Sequence, residues 1–106
     1  MSKPRDVLLA YWDKSEPRAL MSVLEERLAQ DEKWGEQNHN PLKWLAILTE
    51  EVGEYAQAVL DLPVPNPLQR AEAKEVRKEA VQVAAVALAI VECCDRNNWV
   101  KEEKDA

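Results

Sequence analysis

The sequence of 106 residues contains no phenylalanine, only two glycines and only two cysteines. So little glycine leaves few positions at which a tight β-hairpin turn can form. Ala, Leu, Glu and Lys dominate instead, a mixture that is typical of helices. The length fits a single domain with one modest hydrophobic core. We therefore predict an all-α protein of one domain.

Long apolar runs and an excess of basic residues are also missing. No segment approaches the apolar length of a membrane span, and the N-terminal region lacks the apolar core of a signal peptide. Cys93 and Cys94 are adjacent, so they do not form a disulfide framework. The net charge is −6, whereas a nucleic-acid surface needs a basic stripe. We expect a cytoplasmic protein that binds neither membranes nor nucleic acids, although a cation could still join a small phosphorylated ligand to acidic side chains.

Helical periodicity and helix-end residues divide the chain into five segments. Gly35 is a natural helix stop, and Asn-Pro pairs at 40–41 and 66–67 are typical of a helix N-cap followed by the first helical residue. The segments are an N-terminal extension (1–14, with a short helix), a helix (15–34), an acidic helix (41–62), an acidic and then apolar helix (67–97), and a tail (98–106).

The second half of the last predicted helix, from Ala80 to Cys94, is apolar on nearly every face. A helix of this kind is usually buried on all sides. Three helices of these lengths have little surface with which to bury it, so we expect a second copy of the chain to complete the bundle.

Two acidic runs flank the proline-rich connection at 62–67. Glu50, Glu51 and Glu54 precede it, and Glu75 and Glu79 follow it. Residues three or four apart share a helix face, so each run forms an acidic patch. Glu51 and Glu79 are equally distant from Pro65, and an antiparallel hairpin rising about 1.5 Å per residue places them at one height. Carboxylates gathered in this way repel one another unless a cation neutralises them, which predicts a divalent metal site.

The chain resembles the MazG-like, all-α nucleoside triphosphate pyrophosphatases over most of its length, from about Leu24 to Asn97. The likeness depends on three pieces of sequence. The first is Arg27-Leu-Ala-Gln30 with Lys33-Trp-Gly35, at a helix end. The second runs from Trp44 to Ala58 and contains Glu50-Glu-Val-Gly-Glu54 at the position of the family's Glu-Glu-x-x-Glu. The third runs from Lys78 to Val86 and contains Glu79-Ala-Val-Gln82 at the position of its Glu-x-x-Asp.

The resemblance implies Mg²⁺-dependent hydrolysis of nucleoside triphosphates to the monophosphate and pyrophosphate, with Mn²⁺ as an alternative ion. It also implies a homodimer or homotetramer and a role in cleaning nucleotide pools. By position, Glu51, Glu54 and Glu79 are the metal ligands, and Glu50 is an additional acid that binds the metal or, like Glu51, takes part in catalysis. Gln82 occupies the fourth ligand position, where the family has Asp. Its neutral carbonyl oxygen is a weaker ligand for Mg²⁺ than a carboxylate.

Candidate substrate-binding residues flank the loop before the acidic helix. An indole can stack on a nucleobase, and a polar side chain can bind the base edge. Each candidate has an ordinary alternative role, as a hydrophobic plug for Trp34 or as solvated charge for the basic residues. The candidates are Trp34, Asn38, His39, Lys43 and Arg96.

Two alternative functions remain open from the sequence. A helical module that senses nucleotides or binds a partner, without catalysis, would explain Gln82 as a sign of a degraded site. A phosphoribosyl-ATP pyrophosphohydrolase would share the acidic helices and ignore ordinary triphosphates. The second Glu-x-x-Asp, from Glu92 to Asp95, begins 13 residues after Glu79. It is displaced by roughly 20 Å along the helix, too far to join the same site.

Overall fold

The computed structural model describes residues 4–14, 17–63 and 70–98. These residues form four α-helices and no strand, which confirms the all-α prediction. The helices are α1 (Pro4–Lys14), α2 (Pro17–Trp34), α3 (Pro41–Leu60) and α4 (Arg70–Arg96). In this part of the chain, no helix combines the length and apolarity that crossing a membrane requires.

The connection between α2 and α3 has the cap residues that the sequence predicts. Gly35 has a φ of +74°, a left-handed conformation that costs glycine nothing, and its N–H donates to the carbonyl of Asp31 at 2.9 Å. Asn40 is the N-cap of α3, because its side-chain oxygen accepts from the backbone N–H of Lys43 at 2.9 Å. Pro41 follows as the first helical residue, where its missing N–H costs nothing.

The remaining helix ends differ slightly from the predicted ones. Helix α3 ends at Leu60 rather than at residue 62, with Asp61 as its C-cap. Helix α4 ends at Arg96, and Asn98 follows with a φ of +54°, a left-handed conformation that Asn tolerates better than most residues. The predicted N-cap Asn66, and residues 99–106 of the predicted tail, lie outside the described residues.

The core lies where α2 and α3 pack against α4. Trp44 of α3 is 3% exposed and contacts Ala89 and Cys93, with Ile47 and Ile90 packed around them. The small side chains of α4 allow this close packing: Ala85 and Cys93 are fully buried. A single helix, α4, is therefore the common packing partner of α2 and α3.

A buried arginine joins α2 to α4. Arg27 is 9% exposed, its guanidinium donates to Glu92 and to Gln30, and it forms an ion pair with Asp31 at 3.1 Å. These partners satisfy a charge that would otherwise be costly to bury. The second Glu-x-x-Asp of the sequence thus begins with a residue that bonds to α2.

The apolar faces of the chain are only partly covered. On α3, Val52 is 46% and Leu45 58% exposed, and on α4 Val91 is 54% exposed. Within the described residues of one chain, α4 is therefore not buried on all sides, and its burial by a second copy stays a prediction. Uncovered apolar side chains also lie on α1 and α2, and elsewhere on α3. They include Val7, Leu8, Leu9 and Tyr11 on α1, Leu20, Met21, Leu24 and Leu28 on α2, and Tyr55, Val59 and Leu60 on α3.

Candidate metal centre

Three carboxylates converge between α3 and α4. Glu51 and Glu54 lie three residues apart on one face of α3, and Glu79 faces them from α4. One carboxylate oxygen of each lies within 4.8 Å of the others. The equal distances of Glu51 and Glu79 from Pro65 along the sequence, with Glu54 on the same helix face as Glu51, predict this convergence. The role of the three residues as metal ligands stays a prediction.

Gln82 lies one helical turn after Glu79 and contacts two of these acids. With its amide oriented to donate, its N–H groups bond to Glu51 Oε2 at 3.2 Å and to Glu79 Oε2 at 3.1 Å. The amide donor therefore relieves part of the repulsion between two carboxylates. Rotation of the same amide would turn its carbonyl oxygen toward the cluster, so Gln82 can serve as a donor or as a neutral ligand.

The surroundings of Glu51 raise the pKa of its carboxyl. Its half-buried position raises the pKa of its carboxyl above the usual value, and the nearby charges of Glu54, Glu79 and Glu50 raise the pKa further. A group in this position binds either a proton or a cation more readily than an isolated glutamate does.

The donor set fits a hard divalent cation. Mg²⁺ and Ca²⁺ prefer oxygen ligands, and Mg²⁺ usually takes one or two carboxylates and keeps several waters. Glu51 and Glu79 are half-buried and Glu54 is exposed, so the cluster is open to water and to a ligand on one side. Glu51, Glu54 and Glu79 would hold the ion, with the carbonyl of Gln82 beside them.

The other acids of the two runs lie beside this triad. Glu50 is exposed and lines a cavity together with Glu51. Glu75 forms an exposed ion pair with Lys78 at 4.0 Å and borders a second cavity, which Glu54 and Glu79 also line. Glu50 thus borders the cavity beside Glu51, whereas Glu75 has an ordinary surface partner.

A cavity of about 260 Å³ opens next to the carboxylates, between α2, α3 and α4. Trp34, 61% exposed, and the buried Trp44 belong to its walls. The indole Nε1 of Trp44 is buried and has no hydrogen-bond partner among the described residues. Glu51 belongs to both the cavity and the triad. The complete lining is Gln30, Trp34, Gln37, Trp44, Ile47, Glu50, Glu51, Val86 and Ala89.

The five candidate substrate-binding residues differ in their relation to this cavity. Trp34 lines it, and its ring lies 4.8 Å from Lys33 Nζ in a cation–π contact. His39 packs edge-on against Trp44, with the ring centres 4.8 Å apart. Arg96 and Asn38 bond to each other. Lys43 is exposed on the first turn of α3. Of the five candidates, Trp34 is the one that lines the cavity.

Gln30 and Gln37 line the cavity, although neither is among the substrate-binding residues that the sequence predicts. A signal existed for Gln30, which lies four residues before Trp34 and so shares its helix face. Gln37 lies in the irregular loop between α2 and α3, where no periodicity indicates the direction of a side chain.

Comparisons with protein-family models, with curated proteins and with solved structures found no match for this chain.

Proposed function

We propose that this protein is a Mg²⁺-dependent nucleoside triphosphate pyrophosphohydrolase that hydrolyses ribo- or deoxynucleoside triphosphates to the monophosphate and pyrophosphate. The observation that carries the proposal is the convergence of Glu51, Glu54 and Glu79 beside a cavity with indole walls. Their order along the chain resembles that of the MazG-like family.

Each part of the site has a role in such a reaction. The triad would hold the cation, which supplies charge neutralisation at the phosphate oxygens and acidifies a bound water. The cavity would take the base, because Trp34 offers an aromatic face and Gln30 and Gln37 offer amide groups.

Glu50 is the residue best placed to accept a proton. It is exposed, lines the same cavity as Glu51 and lies outside the triad. A water attacks a phosphorus of the α–β anhydride, its proton passes to Glu50, and the anhydride bond breaks to release pyrophosphate.

The assembly that we propose is a homodimer or homotetramer. Exposed apolar side chains on α1, α2 and α3 support it, because contiguous apolar surface on a soluble domain commonly marks an interface. A second copy would also cover the exposed part of α4.

The test is pyrophosphate release from a panel of ribo- and deoxynucleoside triphosphates and phosphoribosyl-ATP, with and without Mg²⁺. We expect Mg²⁺-dependent release from triphosphates, its loss in Glu54→Ala and its retention in Glu25→Ala, a matched control on the exposed surface of α2. Gln82→Asp should bind the cation more tightly, since it adds a fourth carboxylate.

Two results would each favour one of the alternative functions. Nucleotide binding without release would favour the alternative of a sensing or interaction module, particularly if Gln82→Asp gained activity. Release confined to phosphoribosyl-ATP would favour the other enzyme. In either case the Glu54→Ala variant shows whether the acidic cluster is involved.

A further inference from the structure

The C-terminal end of α4 is tied to the loop between α2 and α3. Arg96 donates through Nε and a terminal nitrogen to Asn38 Oδ1, at 3.2 and 3.1 Å, and through the same terminal nitrogen to the carbonyl of Gln37 at 2.9 Å. It also forms an ion pair with Glu36 at 3.3 Å. Asn97 adds a bond from its amide to Asn38 Oδ1 at 2.9 Å.

These bonds act on a segment with little regular structure of its own. Residues 35–40 belong to no helix or strand. Within the segment, Gln37 lines the cavity, and Trp34 lines it from the end of α2 just before. Arg96 and Asn97 do not line this cavity, so they can influence it through the loop.

The bonds of Arg96 are of a kind that can fix the position of the loop. A guanidinium is planar and presents its donors in a rigid fork, so several bonds from one side chain restrict both position and orientation. Arg96 is one-third exposed, so we expect each single bond to contribute little and the set to act together.

We infer that Arg96 is a positioning residue of the ligand cavity: it holds segment 36–38, and with it Gln37, against the cavity beside the carboxylates. This rests on the proposed function for the identity of the ligand as a nucleotide. Arg96 acts through the loop, and its partner Asn38 acts in the same unit rather than as a separate contact to the substrate.

The experiment measures binding of α,β-imido analogues of the four deoxynucleoside triphosphates, in which the scissile bridge is blocked, in the presence of Mg²⁺. Arg96→Ala and Asn38→Ala should each raise the dissociation constant about tenfold, the effect of losing roughly 1.4 kcal/mol. The double variant should be no weaker than either single variant, because both remove the same support. With the hydrolysable substrate, KM should rise by the same factor while kcat stays unchanged.

Three controls separate positioning from general damage. Arg77 of α4 donates to the hydroxyl of Ser22 on α2, away from the loop. Arg77→Ala therefore removes a different arginine bond of α4 and should leave nucleotide affinity unchanged. Mn²⁺ binding by the Arg96→Ala and Asn38→Ala variants should match that of the wild type, and circular dichroism should show both variants folded at the assay temperature. Asn38 is exposed, so its variant keeps the test available if Arg96→Ala folds poorly.

Additive losses in the double variant would overturn the inference, because they would mean that Arg96 contacts the ligand independently. Unchanged affinity in both single variants would overturn it as well. If the wild type binds the analogues but releases no pyrophosphate, the proposed hydrolysis fails while the same comparison of variants still decides the role of Arg96. A wild type that binds no analogue overturns both.

Discussion

Glu51 is the residue in which burial and like charge act together. It lies in the half-buried part of the cluster, beside the cavity and within reach of Glu54 and Glu79. Its raised carboxyl pKa means that the folded protein holds this proton more tightly than the unfolded chain does. Stability therefore falls as the pH rises from the usual glutamate pKa through the pKa of the folded state.

The fall in stability with rising pH gives a prediction for the metal-free protein. In EDTA, the thermal midpoint should decrease as the pH is raised from about 4.5 through the range above it, and Glu51→Gln should flatten that part of the profile. Mg²⁺ should offset the decrease at higher pH, because the ion competes with the proton for the same oxygens.

Scanning calorimetry at a series of pH values, with and without Mg²⁺, is the measurement. Glu25→Gln is the matched control, since this glutamate is exposed on α2. Identical pH profiles for the wild type and Glu51→Gln would contradict the assignment of the raised pKa to Glu51.

Single residues also show where sequence reasoning is strong and where it is weak. The spacing of Glu51 and Glu79 predicts their meeting, because an antiparallel hairpin converts equal distances from a turn into equal heights. Glu54 joins them because it lies three residues after Glu51 on the same helix face. Arg27 and Glu92 are 65 residues apart, and no periodicity links them. Their pairing depends on the packing angle of α2 on α4, which a single sequence does not contain.

At the scale of the element, the start of α3 contributes to the position of the acidic face. The cap bond of Asn40 and the first residue Pro41 fix where the helical turns begin, and the packing of Trp44 against α4 orients the helix that carries Glu51 and Glu54. The sequence contains the start of the helix in full, because cap residues act locally. The start of α4 lies beyond a connection of which residues 64–69 are outside the described part of the chain.

Removal of the cap should destabilise the protein measurably. We expect Asn40→Ala to lower the free energy of unfolding by about 1 kcal/mol, the usual value of an N-cap side chain. Urea denaturation followed by circular dichroism is the measurement. Asn40→Asp should stay within a few tenths of a kcal/mol of the wild type, since aspartate caps equally well. Equal losses in the two variants would show that the side-chain oxygen is not responsible.

At the scale of the whole molecule, the main feature is the number of apolar side chains that the described residues leave exposed. Helical periodicity groups apolar residues on one face of a helix, but it does not show whether that face meets its own chain or another copy. In the described residues, Trp44 faces α4 whereas Val52 is nearly half exposed on the same helix. The distinction depends on the crossing of α3 and α4, a property of the assembled fold.

The exposed apolar side chains of α3 predict that the protein associates in solution. We expect a dimer or tetramer by light scattering at micromolar concentration, and Val52→Asp should weaken association about tenfold or more, because burying a valine contributes roughly 1.5–3 kcal/mol. Gln57→Asp, on the far side of α3, should leave association unchanged. A monomeric wild type would contradict the proposed assembly.

The central position of α4 has a consequence for biosynthesis. Since α2 and α3 both pack on α4, the first three helices leave the ribosome before their common partner exists. Isolated helices of these lengths are marginal in water, so little of the early chain can consolidate during translation. Folding should therefore begin once α4 has emerged, and until then the apolar residues of the nascent chain stay exposed.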